Sequence, residues 1–583
     1  MHSPRLKKAT QVCFQGCCPN PTVRGPLPEA EQPIAKTSST SAACRRNFAA
    51  TTASSLFPST NFTNHESIPS LQESFVQFIK AYPKYSDTAP VDQIRAREYG
   101  HLELSNHVSL DYIGVGLFSQ SQVMSQYRSA ISAPTSSPPA SDFPLFGINF
   151  KSVSLKSQLL HGGEGSELES AIKKRIMDFL NISQNDYAMV FTVNRSAAFK
   201  LVAESYPYQS SRKLLTVYDH ESEALSSMIN TSGKRGARVM AAEFKWPRLR
   251  IHSAKLRKMI MRKKKKKKHR GLFVFPLQSR MSGASYSYQW MTLAQEHGWH
   301  VLLDACALGP KDMDSFGLSL FHPDFLICSF YKVFGENPTG FGCLFVKKSV
   351  VPVLEASAGA GIVSITPAKN LLPFPEDSSG TDTELEQIGI KQEAATEEKT
   401  EKDIAPLSNI ECRCLDHVDS LGLTVISSRS RYLINWLVTA VMKLQHPNRL
   451  DNFPLVTIYG PRGKFDRAAA LAFNICDWKR ETVEPALVQK LADRNHISLG
   501  NGMLHHVWFA DKADEEKHKF CRAKEKGGNA HHRINVVTAA LTFLANFEDV
   551  YRLWAFIAQF LDADFVEKER WRYTALNQKT IEV

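Results

Sequence analysis

Short apolar runs and amphipathic segments alternate along the chain between residues 166 and 347. The apolar runs predict buried strands over 187–192, 214–218, 272–275, 301–304, 325–329 and 343–347. Helices are predicted between them, and one begins at Ser166 and places its apolar residues on a single face, at Leu168, Ile172, Ile176 and Phe179. This alternation predicts an α/β fold, with a large, mostly parallel sheet covered by helices on both faces.

Shifts in composition mark the predicted domain boundaries. Residues 1–65 are rich in Ser, Thr, Pro and Ala, and they are predicted to form a disordered N-terminal tail. A large domain is predicted over 66–370 and a smaller C-terminal α/β domain over 406–583. The acidic and polar stretch at 371–405 is predicted to be a linker or surface insertion between them.

The bulk composition excludes some classes of protein. The chain has 583 residues, of which 43% are hydrophobic, so it is long enough for two folded units. No apolar run reaches the roughly 18 residues that a membrane helix requires, so no membrane partner is predicted. The 11 cysteines are too few for a disulfide framework in a chain of this length, and a reducing compartment fits best.

A basic loop at 262–270 contributes to the formal net charge of +13. Such a run is typical of a solvated loop, and nuclear import or contact with a polyanion are the alternatives. No aromatic residues interleave it, so a nucleic-acid partner is not expected. We predict a cytoplasmic protein and leave a nuclear location open. Import into an organelle also stays open, because acidic residues are absent before Glu29.

An acid and a lysine stand at the ends of two successive predicted strands. Asp304 ends the strand 301–304, and Lys332 follows the strand 325–329, just before a Gly-rich turn at 335–342. In open α/β sheets, ligands bind at the carboxyl ends of the strands. Pyridoxal 5'-phosphate is held by a lysine that forms a Schiff base with its aldehyde and by an acid that pairs with its pyridinium nitrogen. The pair therefore predicts a pyridoxal-phosphate site.

Three strings near these residues carry a family resemblance. The stretches 110–117 (LDYIGVGL), 276–283 (PLQSRMSG) and 329–335 (SFYKVFG) resemble motifs of the molybdenum cofactor sulfurases, which are relatives of the cysteine desulfurases. The resemblance covers roughly residues 70–560 and is nearest to a plant group of sulfurase-like proteins. Phe330 and Tyr331 favour the sulfurase branch, because cysteine desulfurases carry histidine before the lysine. The resemblance implies a fold-type-I pyridoxal-phosphate transferase, a homodimer and a small amine or amino-acid substrate.

The resemblance also implies a role for each candidate residue. Lys332 would be the catalytic Schiff-base lysine, and Asp304 would hold the pyridinium proton. His220 falls where the family stacks an aromatic group on the cofactor ring. Ser196 would hold the phosphate at a helix N-terminus, although the glycine expected before it is missing, and Ser329 would add a second hydroxyl. No metal site is predicted.

The sequence departs from the family where the sulfur chemistry takes place. The family carries its nucleophilic cysteine in the small domain, and the matching stretch 497–506 contains none. Thr538 stands at the position of the arginine that would hold the substrate carboxylate, and Arg533 lies five residues earlier. Arg280 and Ala307 replace amide side chains that would contact the ring hydroxyl.

These departures leave three hypotheses open. The first is a sulfurase-like protein that binds pyridoxal phosphate but lacks ordinary cysteine desulfurase activity. The second is an active desulfurase or sulfurtransferase that uses a non-standard cysteine. The third is a non-catalytic nuclear interaction protein that uses the transferase fold as a scaffold.

Overall fold

The computed structural model describes residues 56–57, 61–100, 106–111, 115–119, 146–162, 165–261, 270–306, 321–333, 340–357, 359, 361–367, 411–447, 453–461, 467–509 and 532–579. The acidic linker 371–405 and the basic loop 262–270, apart from Arg270, lie outside these residues. The described residues belong to one compact unit that spans Phe48–Val583. The division into a large and a small domain therefore stays a prediction.

The strands are, in chain order, β1 (Val108–Ser109), β2 (Val115–Phe118), β3 (Phe146–Lys151), β4 (Tyr187–Thr192), β5 (Lys213–Thr216), β6 (Arg238–Ala241), β7 (Phe244–Lys245), β8 (Arg250–Ile251), β9 (Gly271–Pro276), β10 (His300–Asp304), β11 (Phe325–Val333), β12 (Gly340–Lys347), β13 (Ile362–Pro367), β14 (Gln445–His446), β15 (Phe453–Pro454), β16 (Val456–Tyr459), β17 (Ala470–Ile475), β18 (Ile497–Ser498), β19 (Gly500–Trp508) and β20 (His532–Ala540).

The α-helices are α1 (Leu71–Ala81), α2 (Ala89–Glu98), α3 (Leu155–His161), α4 (Glu167–Phe179), α5 (Arg195–Ser205), α6 (Glu223–Lys234), α7 (Ser253–Ile260), α8 (Gln289–Glu296), α9 (Arg413–Leu421), α10 (Leu423–Val441), α11 (Pro485–Arg494), α12 (Phe547–Ala558) and α13 (Ala563–Lys579). None of these helices is long and apolar enough to cross a membrane.

The larger sheet has ten strands and positions the candidate site. Its order is β3-β13-β4-β12-β11-β10-β9-β5-β6, and β2 pairs with the far end of β11. The neighbours β11, β10, β9, β5 and β6 run parallel, whereas β12 is antiparallel to both β11 and β4. The predicted α/β class is confirmed. The large sheet is mixed, because β13 is also antiparallel to its neighbours β3 and β4, and the predicted parallel arrangement holds for the five strands from β11 to β6 just named. Because β10 and β11 are parallel neighbours, their carboxyl ends meet at one edge of the sheet.

The second sheet has six strands in the order β16-β17-β20-β19-β7-β8. Four of them come from the C-terminal third of the chain. The other two, β7 and β8, come from residues 244–251, and β7 pairs in parallel with the end of β19. The sequence does not reveal that β7 and β8 join this sheet, because two-residue strands show no hydrophobic period.

The N-terminal segment packs on the C-terminal helices. Leu56, Phe57 and Phe62 are buried in a core that also contains Trp436 and Trp554. Packed residues therefore begin before residue 66, the first residue after the predicted disordered tail, because these three apolar side chains bury against aromatic rings.

A buried ion pair also fixes the N-terminal helices to the end of the chain. Arg95 of α2 donates to Asp549 of α12 at 2.6 Å, and both side chains are buried. Asp549 and Asn546 in turn form a capping box at the start of α12. Asn546 is the N-cap of this helix.

Candidate active site

The candidate site lies where β10 ends, at Asp304. This carboxylate is 4% exposed. Its Oδ2 accepts hydrogen bonds from Arg195 Nη2 at 2.6 Å and from the Tyr218 hydroxyl at 2.9 Å. Its Oδ1 accepts the Cys306 amide at 3.1 Å. A buried carboxylate with this many donors is stabilised in its charged form.

Arg195 is the cation that balances this acid. It is the first residue of α5, and it also donates from Nη1 to Ser222 Oγ at 3.0 Å while its guanidinium lies 5.1 Å from the centre of the Phe199 ring. Burial alone would raise the pKa of Asp304, but the Arg195 charge and the hydrogen bonds outweigh it and lower that pKa below its ordinary value. Asp304 is therefore ionised at neutral pH and already paired.

A cavity of about 330 Å³ lies in front of this pair. Such a volume suits a small molecule. The residues that line it include the predicted site residues Ser196 and His220, and the full set is Asn194, Arg195, Ser196, His220, Glu221, Ser222, Glu223, Ala224, Arg280 and Met281. Asp304 is absent from this lining, so Arg195 stands between the cavity and the acid.

His220 lines this cavity and carries a buried nitrogen that has no partner within the described part of the chain. Its side chain is 3% exposed, and Nδ1 lies 2.8 Å from Asp219 Oδ1. Its Nε2 has no hydrogen-bond partner among the residues that the structure describes. Because buried polar atoms are nearly always satisfied, a polar ligand in the cavity would complete the bonding of His220.

Two serines donate hydrogen bonds to the Asp219 carboxylate. Ser279 donates to its Oδ1 at 2.7 Å and Ser282 donates to its Oδ2 at 2.5 Å. Burial raises the pKa of Asp219, but the hydrogen bonds from His220 and the serines lower it overall. Ser279 and Ser282 belong to the string 276–283, so this part of the family motif orients the histidine.

Ser196 lies at the N-terminus of α5, where unpaired amides and the helix dipole favour an anion. Asn194 caps the helix by accepting the Ala197 amide at 2.9 Å. The chain thus forms the predicted helix start without the expected glycine, because an asparagine caps it instead. Arg280 lines the same cavity and is exposed, so it adds a second positive charge to the cavity.

Ser329 and Lys332 lie on β11, the parallel neighbour of the strand β10 that ends at Asp304. Asp304 is in register with Ile327, so Lys332 lies five residues further along, which is roughly 16 Å of extended strand. The Ser329 hydroxyl contacts Cys306 Sγ at 3.3 Å, and the Lys332 side chain lies outside the described part.

The stretch that should carry the nucleophilic cysteine forms β18 and β19. The strand β19 contacts the segment around His220 directly: the Glu221 amide donates to the Met503 carbonyl, and the His505 amide donates to the Asp219 carbonyl. Thr538 is buried in β20 opposite Gly500, and Arg533 is exposed on the same strand. Neither residue lines the cavity. Ala307 and Cys521 lie outside the described residues.

Six cysteines lie in the described part, and all are free: Cys306, Cys328, Cys343, Cys412, Cys414 and Cys476. Burial raises the pKa of each thiol. Cys306 is nearest the site, and Asp304 raises its pKa further, although Arg195 opposes this effect. A raised pKa disfavours the thiolate that acts as a sulfur nucleophile.

Comparison with curated proteins finds the molybdenum cofactor sulfurases. The chain is 26% identical to the sulfurase of Bos taurus over 439 residues, which cover 70% of the chain and 44% of that protein. It is 27% identical to the Homo sapiens sulfurase over 449 residues, covering 70% of the chain and 43% of that protein. The chain thus spans less than half the length of these relatives. The predicted resemblance to the sulfurases is confirmed, and no family model matches the chain.

Comparison with solved structures finds cysteine desulfurases. The cysteine desulfurase CsdA from Escherichia coli aligns at 16% identity and a TM-score of 0.48, covering 81% of this chain and 98% of that one. A cysteine desulfurase from Thermococcus onnurineus NA1 aligns at 15% identity and a TM-score of 0.46, covering 80% of this chain and 96% of that one.

The structure brings four of the five predicted site residues to one edge of the sheet: Asp304, Ser196, His220 and Ser329. The sequence reasoning missed Arg195 as a member of the site. A signal was present, because a positive charge in the first turn of a helix opposes the helix dipole and needs a specific partner.

Proposed function

We propose that the chain is a sulfurase-like protein that binds pyridoxal 5'-phosphate in the cavity beside Arg195 and lacks ordinary cysteine desulfurase activity. The observation that carries the binding proposal is that His220 lines the cavity and that its buried Nε2 has no partner within the described part of the chain. The similarity to the molybdenum cofactor sulfurases supports the choice of ligand.

Each residue of the site has a role under this proposal. Ser196 and the amides that start α5 bind the phosphate, and His220 packs against the ring, held in place by Asp219. Lys332 and Ser329 approach from β11. When bound, pyridoxal phosphate supplies an electrophilic carbon for an amine and an electron-withdrawing ring. The substrate class that fits is a small amine or amino acid, and we propose a homodimer.

The loss of desulfuration is argued from the cysteines. The strand β19 occupies the stretch where a mobile cysteine would be expected, and it hydrogen-bonds to the loop that carries His220. The six cysteines that the structure describes are free thiols with raised pKa and do not supply a thiolate.

The absorbance spectrum of the purified full-length protein tests the binding proposal. We expect a visible band from bound cofactor after incubation with pyridoxal 5'-phosphate, and Lys332→Ala should abolish it. Lys347→Ala, on the neighbouring strand β12, is the matched control and should keep the band. A colourless wild-type protein that ignores the added cofactor would contradict the proposal and favour the scaffold hypothesis.

Sulfide release from cysteine, measured with a reductant present, tests the second half of the proposal. The protein should release no more sulfide than free pyridoxal phosphate does under the same conditions. Release that depends on the protein would support a desulfurase with a non-standard cysteine. Replacement of each cysteine by serine would then locate the nucleophile.

A further inference from the structure

We propose that Arg195, rather than Asp304, faces the ring nitrogen of bound pyridoxal phosphate and keeps that nitrogen unprotonated. This inference rests on the proposed function, because it concerns the cofactor that the cavity would hold. It assigns to Arg195 a role that the family resemblance does not predict, since the resemblance pairs the ring nitrogen with the acid at Asp304.

The Arg195 side chain is held in place from several sides. Its Nη2 donates to Asp304 on β10, and its Nη1 donates to Ser222, the N-cap of α6. The flat guanidinium also lies over the Phe199 ring of its own helix. Asp304 raises the pKa of Arg195 although burial lowers it. A ligand that entered the cavity would therefore meet a positioned guanidinium.

Asp304 is covered by Arg195 and already accepts three hydrogen bonds. Oδ2 already accepts two hydrogen bonds, from Arg195 and Tyr218, and Oδ1 accepts one from the Cys306 amide. A carboxylate offers about four acceptor sites in all. Asp304 does not line the cavity, whereas Arg195 does. A ring nitrogen could reach the acid only if Arg195 moved out of its three contacts.

One N–H group of Arg195 is still available to donate a hydrogen bond. Its Nε is buried and has no hydrogen-bond partner within the described part of the chain. A guanidinium has only donors and does not lose its proton in proteins. A ring nitrogen can accept from it only when that nitrogen is unprotonated, and a protonated ring would place two positive charges together.

The consequence concerns the electron-withdrawing power of the ring. A pyridoxal ring withdraws electrons most strongly when its nitrogen is protonated, and protein groups near this nitrogen tune that power. Arg195 would weaken it. The chain also lacks a cysteine in β19. An arginine at the ring nitrogen and the lack of a cysteine in β19 are thus two departures from the requirements of desulfuration.

The experiment uses pyridoxal 5'-phosphate labelled with ¹⁵N in the ring. The full-length wild type, Arg195→Ala and Arg195→Gln are each titrated with this probe at neutral pH, and the ¹⁵N shift of the bound probe and its dissociation constant are measured. The wild type should show an unprotonated nitrogen. Both variants should move the resonance to the pyridinium range and bind the probe at least several-fold more tightly, because Asp304 becomes free to pair with the ring.

Two controls keep the result interpretable. Arg280→Ala removes the other arginine of the cavity, which forms no described bond to Asp304, and should leave the ring nitrogen unprotonated. Arg195→Gln keeps a polar side chain of similar length, so a folding defect confined to Arg195→Ala would not decide the outcome. Circular dichroism of every variant checks its fold.

The outcomes separate this inference from the proposed function. A pyridinium resonance in the wild type, unchanged in the variants, would overturn the inference and leave cofactor binding intact. Failure of the wild type and both variants to bind the probe would overturn both. Binding by the wild type with an unprotonated ring, and by the variants with a protonated ring, would support the inference.

Discussion

Replacement of Asp304 by asparagine should destabilise the fold, because it leaves the Arg195 charge without its balancing acid. Loss of one partner of a buried ion pair costs about 3–5 kcal/mol. The Arg195 side chain is 17% exposed and the Asp304 side chain 5%, and asparagine can still accept the Tyr218 hydroxyl. We therefore expect the low end of that range, about 3 kcal/mol of unfolding free energy.

Urea unfolding followed by tryptophan fluorescence measures this loss. Asp87→Asn is the matched control, because Asp87 is exposed on the surface and its replacement should change the unfolding free energy by less than about 0.5 kcal/mol. The double variant Arg195→Gln/Asp304→Asn should recover part of the loss, with a coupling energy of about 1–3 kcal/mol between the two sites. If Asp304→Asn unfolds like Asp87→Asn, the pair does not stabilise the fold and the reasoning is refuted.

The same carboxyl predicts a pH dependence with a definite sign. The pKa of Asp304 is lowered in the fold from an ordinary value of 3.8. The stabilisation from Asp304 is thus complete above that ordinary value and is lost as the pH falls through the lower folded pKa. Asp304→Asn should remove this part of the acid sensitivity, so the difference in stability between wild type and variant should shrink as the pH falls below about 4. A difference that stays constant with pH would contradict the assignment.

Three further predictions concern the surroundings of the site. Gly342→Ala should destabilise the protein and weaken cofactor binding, because its Cβ would lie 2.5 Å from Thr192 Oγ1 and 2.8 Å from the Asn194 carbonyl at the start of α5; urea unfolding and cofactor titration check this, and wild-type values in both would refute it. The six described cysteines should resist iodoacetamide in the native protein at pH 8 and react in urea, and peptide mass spectrometry would expose any native labelling that contradicts this. Deletion of 262–270 should shift a fluorescent fusion out of the nucleus if that run is an import signal, and an unchanged distribution would dismiss it.

The sequence predicted the strands that appear as continuous apolar runs. The buried runs that became β4, β9, β10 and β12 lie within a few residues of their predicted bounds, because strands that are buried on both faces read as continuous apolar segments. β11 runs further than predicted, through Lys332 to Val333, because it pairs there with β2 and β12. That pairing involves residues far apart in the chain, and a local pattern does not carry it.

The site residues that the sequence could predict lie at the end of a strand or at the start of a helix. Asp304 and Ser196 were placed correctly at the end of β10 and the start of α5, and the serines of 276–283 were recognised as part of a motif. The Arg195–Asp304 pair joins positions 109 residues apart, and no spacing rule predicts it. The same holds for the bonds between β19 and the His220 loop.

The most direct test of cofactor binding is to locate a covalently trapped cofactor. Full-length protein is incubated with pyridoxal 5'-phosphate, reduced with borohydride, digested and analysed by mass spectrometry. We predict a phosphopyridoxyl group on the peptide that contains Lys332, and its loss in Lys332→Ala. Modification spread over the surface lysines, such as those at 263–268, with none on Lys332, would contradict the account.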